Sequence, residues 1–346
     1  MLTRHRHQFA SDNTAAICPE AWAALAEANQ EAVVSYGGDR WSERLHAQVS
    51  ELFETDCDTH LVFNGTAANS LALAQLCQPF ESVLCHQHAH IETDECGAPE
   101  FFSGGAKLQR VSGANGKVDL AAAAEVLARH RDVHNVRPRV LSLTQATEFG
   151  TVYSLAELDA AAAFAREQNL SIHMDGARFA NAVASLGCKP KEMTWERGVD
   201  VLAFGGTKNG LAVGDLIVFF NPALARDFDY RVKRGAQLAS KMRFLAAPWT
   251  ALLTDDVWLK NAWHANEAAE TLEEKLRDAG IGKVAFPREA SALFLHLPED
   301  SVAQMEKRGW HFYKHLEPDI YRLMCAWSTT GAEIDEFVAD FRAVGA

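Results

Sequence analysis

Little in this sequence points toward a disulfide framework, a membrane or a nucleic acid. The seven cysteines, at 18, 57, 77, 85, 96, 188 and 325, are odd in number and include no CxxC pair. That pattern argues against a disulfide scaffold and fits a reducing cytoplasm. No apolar run approaches the length of a membrane span, and residues 216–220 have the size of one buried strand. Residues 1–10 lack the apolar centre of a signal peptide. The alternating Arg4-His5-Arg6-His7 run there could be read as a metal-binding tail, but a frayed, solvated terminus is the plainer expectation. Basic residues are in short supply, 33 Lys and Arg against 46 Asp and Glu, for a net charge of −13. An acidic surface repels phosphate backbones and anionic lipid heads, so neither nucleic acid nor a membrane is an expected partner. Any phosphate bound here needs a locally cationic or amide-rich pocket.

What is present is an ordinary globular composition. The chain has 346 residues, 48% hydrophobic and 23% charged, enough for one large domain and a smaller one. Short β-rich runs at 60–64, 82–86, 107–111, 139–145, 171–175, 201–205 and 216–220 alternate with Ala- and Leu-rich helical segments at 66–77, 120–130, 154–168 and 178–186. Strands with little polar alternation, separated by helices, predict a mostly parallel sheet covered on both faces. Ligands of such sheets sit at the carboxyl ends of the strands. Residues 17–55 read as helices around the turn Tyr36-Gly37-Gly38-Asp39. After Pro248 the pattern changes to a long helical stretch over 248–279, β-rich runs at 291–297 and 321–327, and a final helix near 332–343. The expected division is a large domain over 1–248, with an N-terminal arm, and a small C-terminal α+β domain over 249–346.

Three motifs lie on successive strand-to-helix turns. Asn64-Gly65-Thr66-Ala67-Ala68-Asn69 follows a strand and opens a helix. Gly65 permits close backbone approach, and free first-turn amides attract a phosphate; the bland alternative is that Thr66 merely caps the helix. Asp175, in His173-Met174-Asp175-Gly176-Ala177-Arg178, ends an apolar strand and should emerge at the ligand edge. An isolated Asp there is usually a cap, but it can also keep a pyridine nitrogen protonated so that the ring acts as an electron sink. Arg178 can fork onto a carboxylate or serve a structural ion pair. Phe204-Gly205-Gly206-Thr207-Lys208-Asn209-Gly210 then carries a strand into small residues and one lysine. Desolvation would make that lysine nucleophilic. A phosphate loop, then an aspartate, then a lysine in this order point to pyridoxal 5'-phosphate (PLP), with Lys208 holding it as a Schiff base.

With these motifs the chain resembles the threonine aldolases of the β-eliminating-lyase group, within the fold-type-I PLP enzymes. The resemblance runs from Phe9-Ala10-Ser11-Asp12 to Arg322, and the chain length fits the low-specificity L-threonine aldolases. It implies roles residue by residue. Lys208 matches the Schiff-base lysine, Asp175 the partner of the ring nitrogen, and Gly65 and Thr66 the phosphate loop. Arg178 matches the arginine that helps hold substrate carboxylate and cofactor; Ser11 and Arg322 match further carboxylate contacts. His90, five residues before Glu95-Cys96-Gly97, matches the histidine that stacks on the cofactor ring. Tyr36 resembles a tyrosine given to the neighbouring subunit's site. In the run Lys233-Arg234 to Met242-Arg243, Arg243 is the candidate cation for the phosphate. A homo-oligomer, a dimer of dimers, is implied as well.

One departure stands out. Many members have a second histidine just before the glycine aligned with Gly150, where this chain reads Ala146-Thr147-Glu148-Phe149-Gly150. His90, Glu148 or water remain candidates for the base. His86, His88 and His90 alternate and would share one face of a strand, with acidic residues near by, which is metal-ligand geometry on paper. Ring stacking accounts for His90, and no metal is expected. Trp249, Trp258 and Trp263 read as core or subunit packing. The implied reaction is retro-aldol cleavage of L-threonine, L-allo-threonine and related L-β-hydroxy-α-amino acids to glycine and an aldehyde. Its rivals are a phenylserine-preferring aldolase, a PLP-dependent β-eliminating lyase, and a PLP-binding protein without turnover.

Overall fold

Every apolar run expected between residues 60 and 220 becomes a strand of one seven-stranded sheet. The computed structural model describes residues 6–129 and 132–345. The strands are β1 (Asp58–Val62), β2 (Glu81–His86), β3 (Lys107–Val111), β4 (Arg137–Thr144), β5 (Ser171–Gly176), β6 (Val201–Phe204) and β7 (Asp215–Phe219), in the order β1-β7-β6-β5-β4-β2-β3. The pairings β3-β2, β2-β4, β4-β5 and β5-β6 are parallel. Only β7 breaks the rule, lying antiparallel to both β6 and β1. Strands β2, β5, β6 and β7 are buried along their whole length, which is why they read as apolar runs without alternation. Since β5 and β6 are parallel neighbours, Asp175 at the end of β5 and Lys208 just past β6 reach the same edge of the sheet.

The covering helices start where their caps dictate. Asn64 Oδ1 accepts from the Ala67 amide at the start of the helix Gly65–Leu76. Ser154 and Glu157 form a reciprocal capping box on Leu155–Glu167. The helix expected over 120–130 spans Leu120–Ala128, and His130 lies outside the described residues. The stretch 248–279 is not one helix. Pro248 sits inside the helix Arg243–Leu253, and a second helix, Val257–Asp278, begins only after Asp255 and Asp256 take left-handed φ values of 53° and 56°. An aspartate tolerates that conformation better than most residues, which lets the chain turn there. Trp249 and Trp258 are core residues, whereas Trp263 is 53% exposed.

The smaller sheet is antiparallel, in the order β10-β11-β9-β8, from β8 (Lys283–Val284), β9 (Ala292–His296), β10 (Tyr313–Leu316) and β11 (Ile320–Met324). It has its own apolar core, and Phe9 from the start of the chain is part of it, with its ring 4.7 Å from Phe337 and 5.8 Å from Trp310. Burying such a ring is worth about 1.5–3 kcal/mol. Arg6 adds an ion pair to Glu336 at 2.6 Å and lies 5.0 Å over the Trp310 ring. The segment from Arg6 onward is therefore tied down, contrary to the frayed terminus expected from composition; Arg4 and His5 lie outside the described residues. Its docking, with the Phe9 carbonyl accepting from the Met324 amide at 3.0 Å, delivers Ser11 and Asp12 between the two sheets.

Candidate active site

Three compartments meet at Lys208. An outer cavity of about 550 Å³ lies between the carboxyl edge of the large sheet and the small sheet, with Arg178, Tyr313, His315 and Arg322 in its wall. A narrow slot of about 50 Å³ is bounded by Ala68, His90, Ala177 and Ala203, with Asp175 lining it. A third, of about 210 Å³, opens beside Asn64, Gly65 and Thr66. Lys208 and His90 line all three.

The lysine is held by its loop. Asp215, the first residue of β7, accepts from the Gly206 amide at 2.8 Å, the Thr207 amide at 3.1 Å and the Thr207 hydroxyl at 3.2 Å. Gly205 has a packing reason beyond ligand access, since a Cβ there would stand 2.6 Å from the Ala177 carbonyl oxygen of the neighbouring turn. Burial, and after it the positive charge of Arg178, push the Lys208 ammonium below its ordinary value. A neutral amine is the nucleophilic form.

Asp175 is buried and bound on both oxygens. Oδ1 accepts from the Ala177 amide at 3.0 Å and Oδ2 from Asn69 Nδ2 at 2.9 Å. Asn69 Nδ2 also donates to Glu95 Oε1 at 2.8 Å, and that oxygen lies 2.9 Å from His90 Nδ1. One hydrogen-bonded chain thus joins Asp175, Asn69, Glu95 and His90. The Glu95 hydrogen bond raises the His90 imidazole above its ordinary value, with burial opposing, while burial raises the Glu95 carboxyl. The atoms of His90, Glu95 and Asp175 lie within 4.8 Å of one another, close enough on paper for a metal ion. His86 and His88 are not in that group. The alternating-histidine face does not form, because β2 stops at His86, His88 lies in a turn and His90 opens the short helix His90–Thr93.

At the third compartment the helix cap is Asn64 and not Thr66, and the Gly65 and Thr66 amides take no acceptor among the described residues. Two unpaired first-turn amides at a helix N-terminus suit a phosphate. The flat slot, the carboxylate at its wall, the lysine and the amide pair match the parts of PLP: ring, ring nitrogen, aldehyde and phosphate.

Around the outer cavity the cations are placed differently from expectation. Arg178 is not free: its Nε donates to Asp12 Oδ2 at 2.7 Å and its Nη2 to Asp12 Oδ1 at 2.9 Å, with Asp12 buried. Burial would raise the Asp12 carboxyl, but the charges of Arg178, Lys208 and Arg322 outweigh it and hold it below its ordinary value. Ser11 caps the short turn after it, accepting from the Asn13 amide at 3.2 Å, and donates to Asp12 at 3.3 Å. Arg322, on β11, spends one Nη on the Ala10 carbonyl at 3.3 Å and keeps its buried Nε without a partner. Tyr36 and Arg243 line none of the three compartments. Tyr36 is 52% exposed with Lys233 Nζ 5.1 Å from its ring, and Arg243 Nε donates to the Ala28 carbonyl at 3.0 Å. Asp12, Asn69 and Asp215 have site roles that the sequence reading did not assign; only the position of Asn69, one helical turn past Gly65, offered a signal.

The family model described as beta-eliminating lyase matches residues 8–298. A low specificity L-threonine aldolase of Pseudomonas aeruginosa is 53% identical over 343 residues, covering 99% of each chain. A solved threonine aldolase from Leishmania major superposes with a TM-score of 0.92 at 28% identity, covering 98% of this chain and 99% of its own. A serine palmitoyltransferase from S. paucimobilis with bound PLP shares the fold at a TM-score of 0.71 and 16% identity, covering 99% of this chain and 86% of its own.

Proposed function

Because the chain belongs to the β-eliminating lyase family and has the fold-type-I architecture, we propose that it is a PLP-dependent lyase that cleaves L-threonine, L-allo-threonine and related L-β-hydroxy-α-amino acids to glycine and an aldehyde. The observation that carries this reading is the meeting of three compartments at one buried lysine, with Asp175 in the slot and free amides at the far end.

When bound, PLP supplies an electron sink for a bond broken at Cα. Lys208 would hold its aldehyde carbon, Asp175 its ring nitrogen, His90 one ring face, and Gly65 and Thr66 its phosphate. The chain's own work is orientation. Arg322, with its unpartnered Nε, is the principal fork for the substrate carboxylate, flanked by Ser11 and Arg178. Asp12 fixes the Arg178 guanidinium before substrate arrives, so little reorganisation is left for the bound state. Holding the carboxylate on the small-sheet side directs the Cβ substituent into the outer cavity.

Tyr36 and Arg243 suit a site completed across a subunit interface, and a homotetramer built as a dimer of dimers is the assembly we propose. The cysteines are all unbridged, in keeping with a reducing cytoplasm as the working compartment. Incubation of the PLP-loaded protein with L-threonine, L-allo-threonine and L-phenylserine, with glycine, aldehyde and ammonia assayed, tests the reading. Glycine with equimolar aldehyde is expected. Ammonia with a keto acid would make it an eliminating lyase, and the fastest of the substrates separates a threonine from a phenylserine preference.

A further inference from the structure

Among the described residues, one carboxylate lines both the slot beside Lys208 and the outer cavity, and that is Glu148. It sits in the loop where this chain lacks the second histidine of many family members. The loop is firmly built. The Thr147 amide donates to the Thr151 carbonyl at 2.8 Å, the Thr147 and Thr151 hydroxyls meet at 2.8 Å, and Gln145 bonds Tyr153 through both ends of its amide at 2.9 Å. Gly150 closes it at φ +75°, where a Cβ would stand 2.9 Å from the Ala292 carbonyl. Glu148 Oε1 accepts from the His90 amide at 2.8 Å, which fixes the carboxylate, and buried Oε2 makes no hydrogen bond of ordinary geometry, although the Thr144 hydroxyl acts on the carboxyl weakly, in the direction of the charged form.

The other acid–base groups are committed or misplaced. Asp12 is tied to Arg178, Asp175 to Asn69 and the Ala177 amide, and Asp215 to the lysine loop. His90 has Nδ1 on Glu95. His88 and His315 line the outer cavity alone, and burial drops the His315 imidazole to about 4, too weak a base for the task. Asp94 is exposed at the rim.

We propose that Glu148 Oε2 accepts the β-hydroxyl proton of the substrate. This rests on the aldolase reading. The substrate O–H bond breaks and its proton moves to Glu148. The O–H electron pair becomes the second C=O bond of the leaving aldehyde. The Cα–Cβ pair stays with the glycine carbon, where PLP would supply the electron sink; Lys208 gives that carbon a proton to complete glycine and Glu148 releases its own proton to water, so no outside reagent is needed. Burial, and after it the Asp175 charge, raise the Glu148 carboxyl to about 7, a value suited to taking up the hydroxyl proton and passing it to water near neutrality.

The experiment compares wild type, Glu148→Gln and Glu148→Asp, each PLP-loaded, in threonine cleavage and in exchange of the glycine α-proton for solvent deuterium. Exchange needs Lys208 and the cofactor but no β-hydroxyl base. Glu148→Gln keeps an acceptor for the His90 amide and should lose roughly 10²–10⁴-fold in kcat for cleavage, while glycine exchange and the absorbance titration of PLP stay near wild type. Glu148→Asp should retain part of the cleavage, and the acid limb near pH 7 should appear in wild-type cleavage but not in exchange. Cleavage by Glu148→Gln at the wild-type rate, or loss of cleavage and exchange together with PLP still bound, overturns the assignment. A wild type that exchanges glycine but releases no aldehyde from any β-hydroxy amino acid overturns the aldolase reading instead.

Discussion

Removing Asp12 is the sharpest test of how the substrate side of this site is preorganised. In Asp12→Ala both acceptors of the Arg178 fork, at 2.7 and 2.9 Å, disappear. The Arg178 side chain is only 14% exposed, so its charge is left largely out of water with no partner. Breaking a buried pair in this way costs about 3–5 kcal/mol. At about 2 °C per kcal/mol for a chain of this size, that is a fall in Tm of about 6–10 °C. The internal control is Lys189→Ala, which removes a lysine 64% exposed from its pair with Glu54; such surface pairs are worth about 0–1 kcal/mol.

The pH dependence carries a sign. The Asp12 carboxyl is held below its ordinary value of 3.8, so its contribution is complete above that value and is lost as pH falls through the depressed folded value. The Tm gap between wild type and Asp12→Ala should therefore be constant near neutrality and shrink below about pH 4. KM for the amino acid should rise in the same variant, because Arg178 no longer has a fixed position. Differential scanning of the PLP-loaded proteins from acid to neutral pH makes the comparison. A Tm loss for Asp12→Ala no greater than that for Lys189→Ala would refute the reasoning, since Arg178 would then have found water or another partner at no cost.

The remaining expectations are more direct. Lys208→Ala should lose nearly all turnover and the long-wavelength absorbance of lysine-bound cofactor; full activity would sink the assignment. Arg322→Leu removes the free Nε offered to the substrate carboxylate, a charge-assisted bond of about 1.5–3 kcal/mol, so KM for L-threonine should rise roughly ten- to hundredfold. An unchanged KM would make Arg322 purely structural. Asn64→Ala deletes the cap at the Ala67 amide and should cost about 0.5–2 kcal/mol in urea unfolding, with weaker cofactor retention because the Gly65 and Thr66 amides lose their fixed aim.

The large sheet was legible because its strands are buried on both faces and therefore unbroken in their apolar character, and because caps such as Ser154 and Glu157 are local. The Lys208 and Asp175 turns were legible for the same reason: each lies within a few residues of an apolar strand. Contacts made across the chain were not. Asp12 and Arg178 are 166 residues apart, and Asn69 and Asp175 are 106 apart; no spacing rule links them. The histidine alternation carries no shared face, because period-two spacing implies one only while the strand lasts, and β2 ends at His86. The break at Asp255 and Asp256 escaped notice because nothing in the local composition demands left-handed backbone there.

The site's carboxylates show how one acidic neighbourhood supports several roles. Asp12, Asp175 and Asp215 have both oxygens or several donors engaged, and their partners are an arginine, an asparagine with a backbone amide, and the backbone of the lysine loop. Groups bound in that way are fixed in position; the cations around Asp12 also hold its carboxyl below its ordinary value, whereas burial raises that of Asp215. Glu95 and Glu148 each keep one buried oxygen with no hydrogen bond of ordinary geometry, and burial raises both carboxyls. An unpaired buried oxygen is costly unless something fills it, and in both residues it is the other oxygen, Oε1, that meets His90, at its backbone amide for Glu148 and at its ring for Glu95. The division is physical: the satisfied carboxylates build the cradle, and the unsatisfied ones stand where a proton can be taken up. It follows that replacing Glu95 by Gln, which keeps an oxygen for Asn69 but offers His90 no charge, should lower the His90 imidazole toward its ordinary value. A pH titration of its ring resonances would detect the shift, and an unmoved midpoint would mean that Glu95 does not hold the proton at His90 Nδ1.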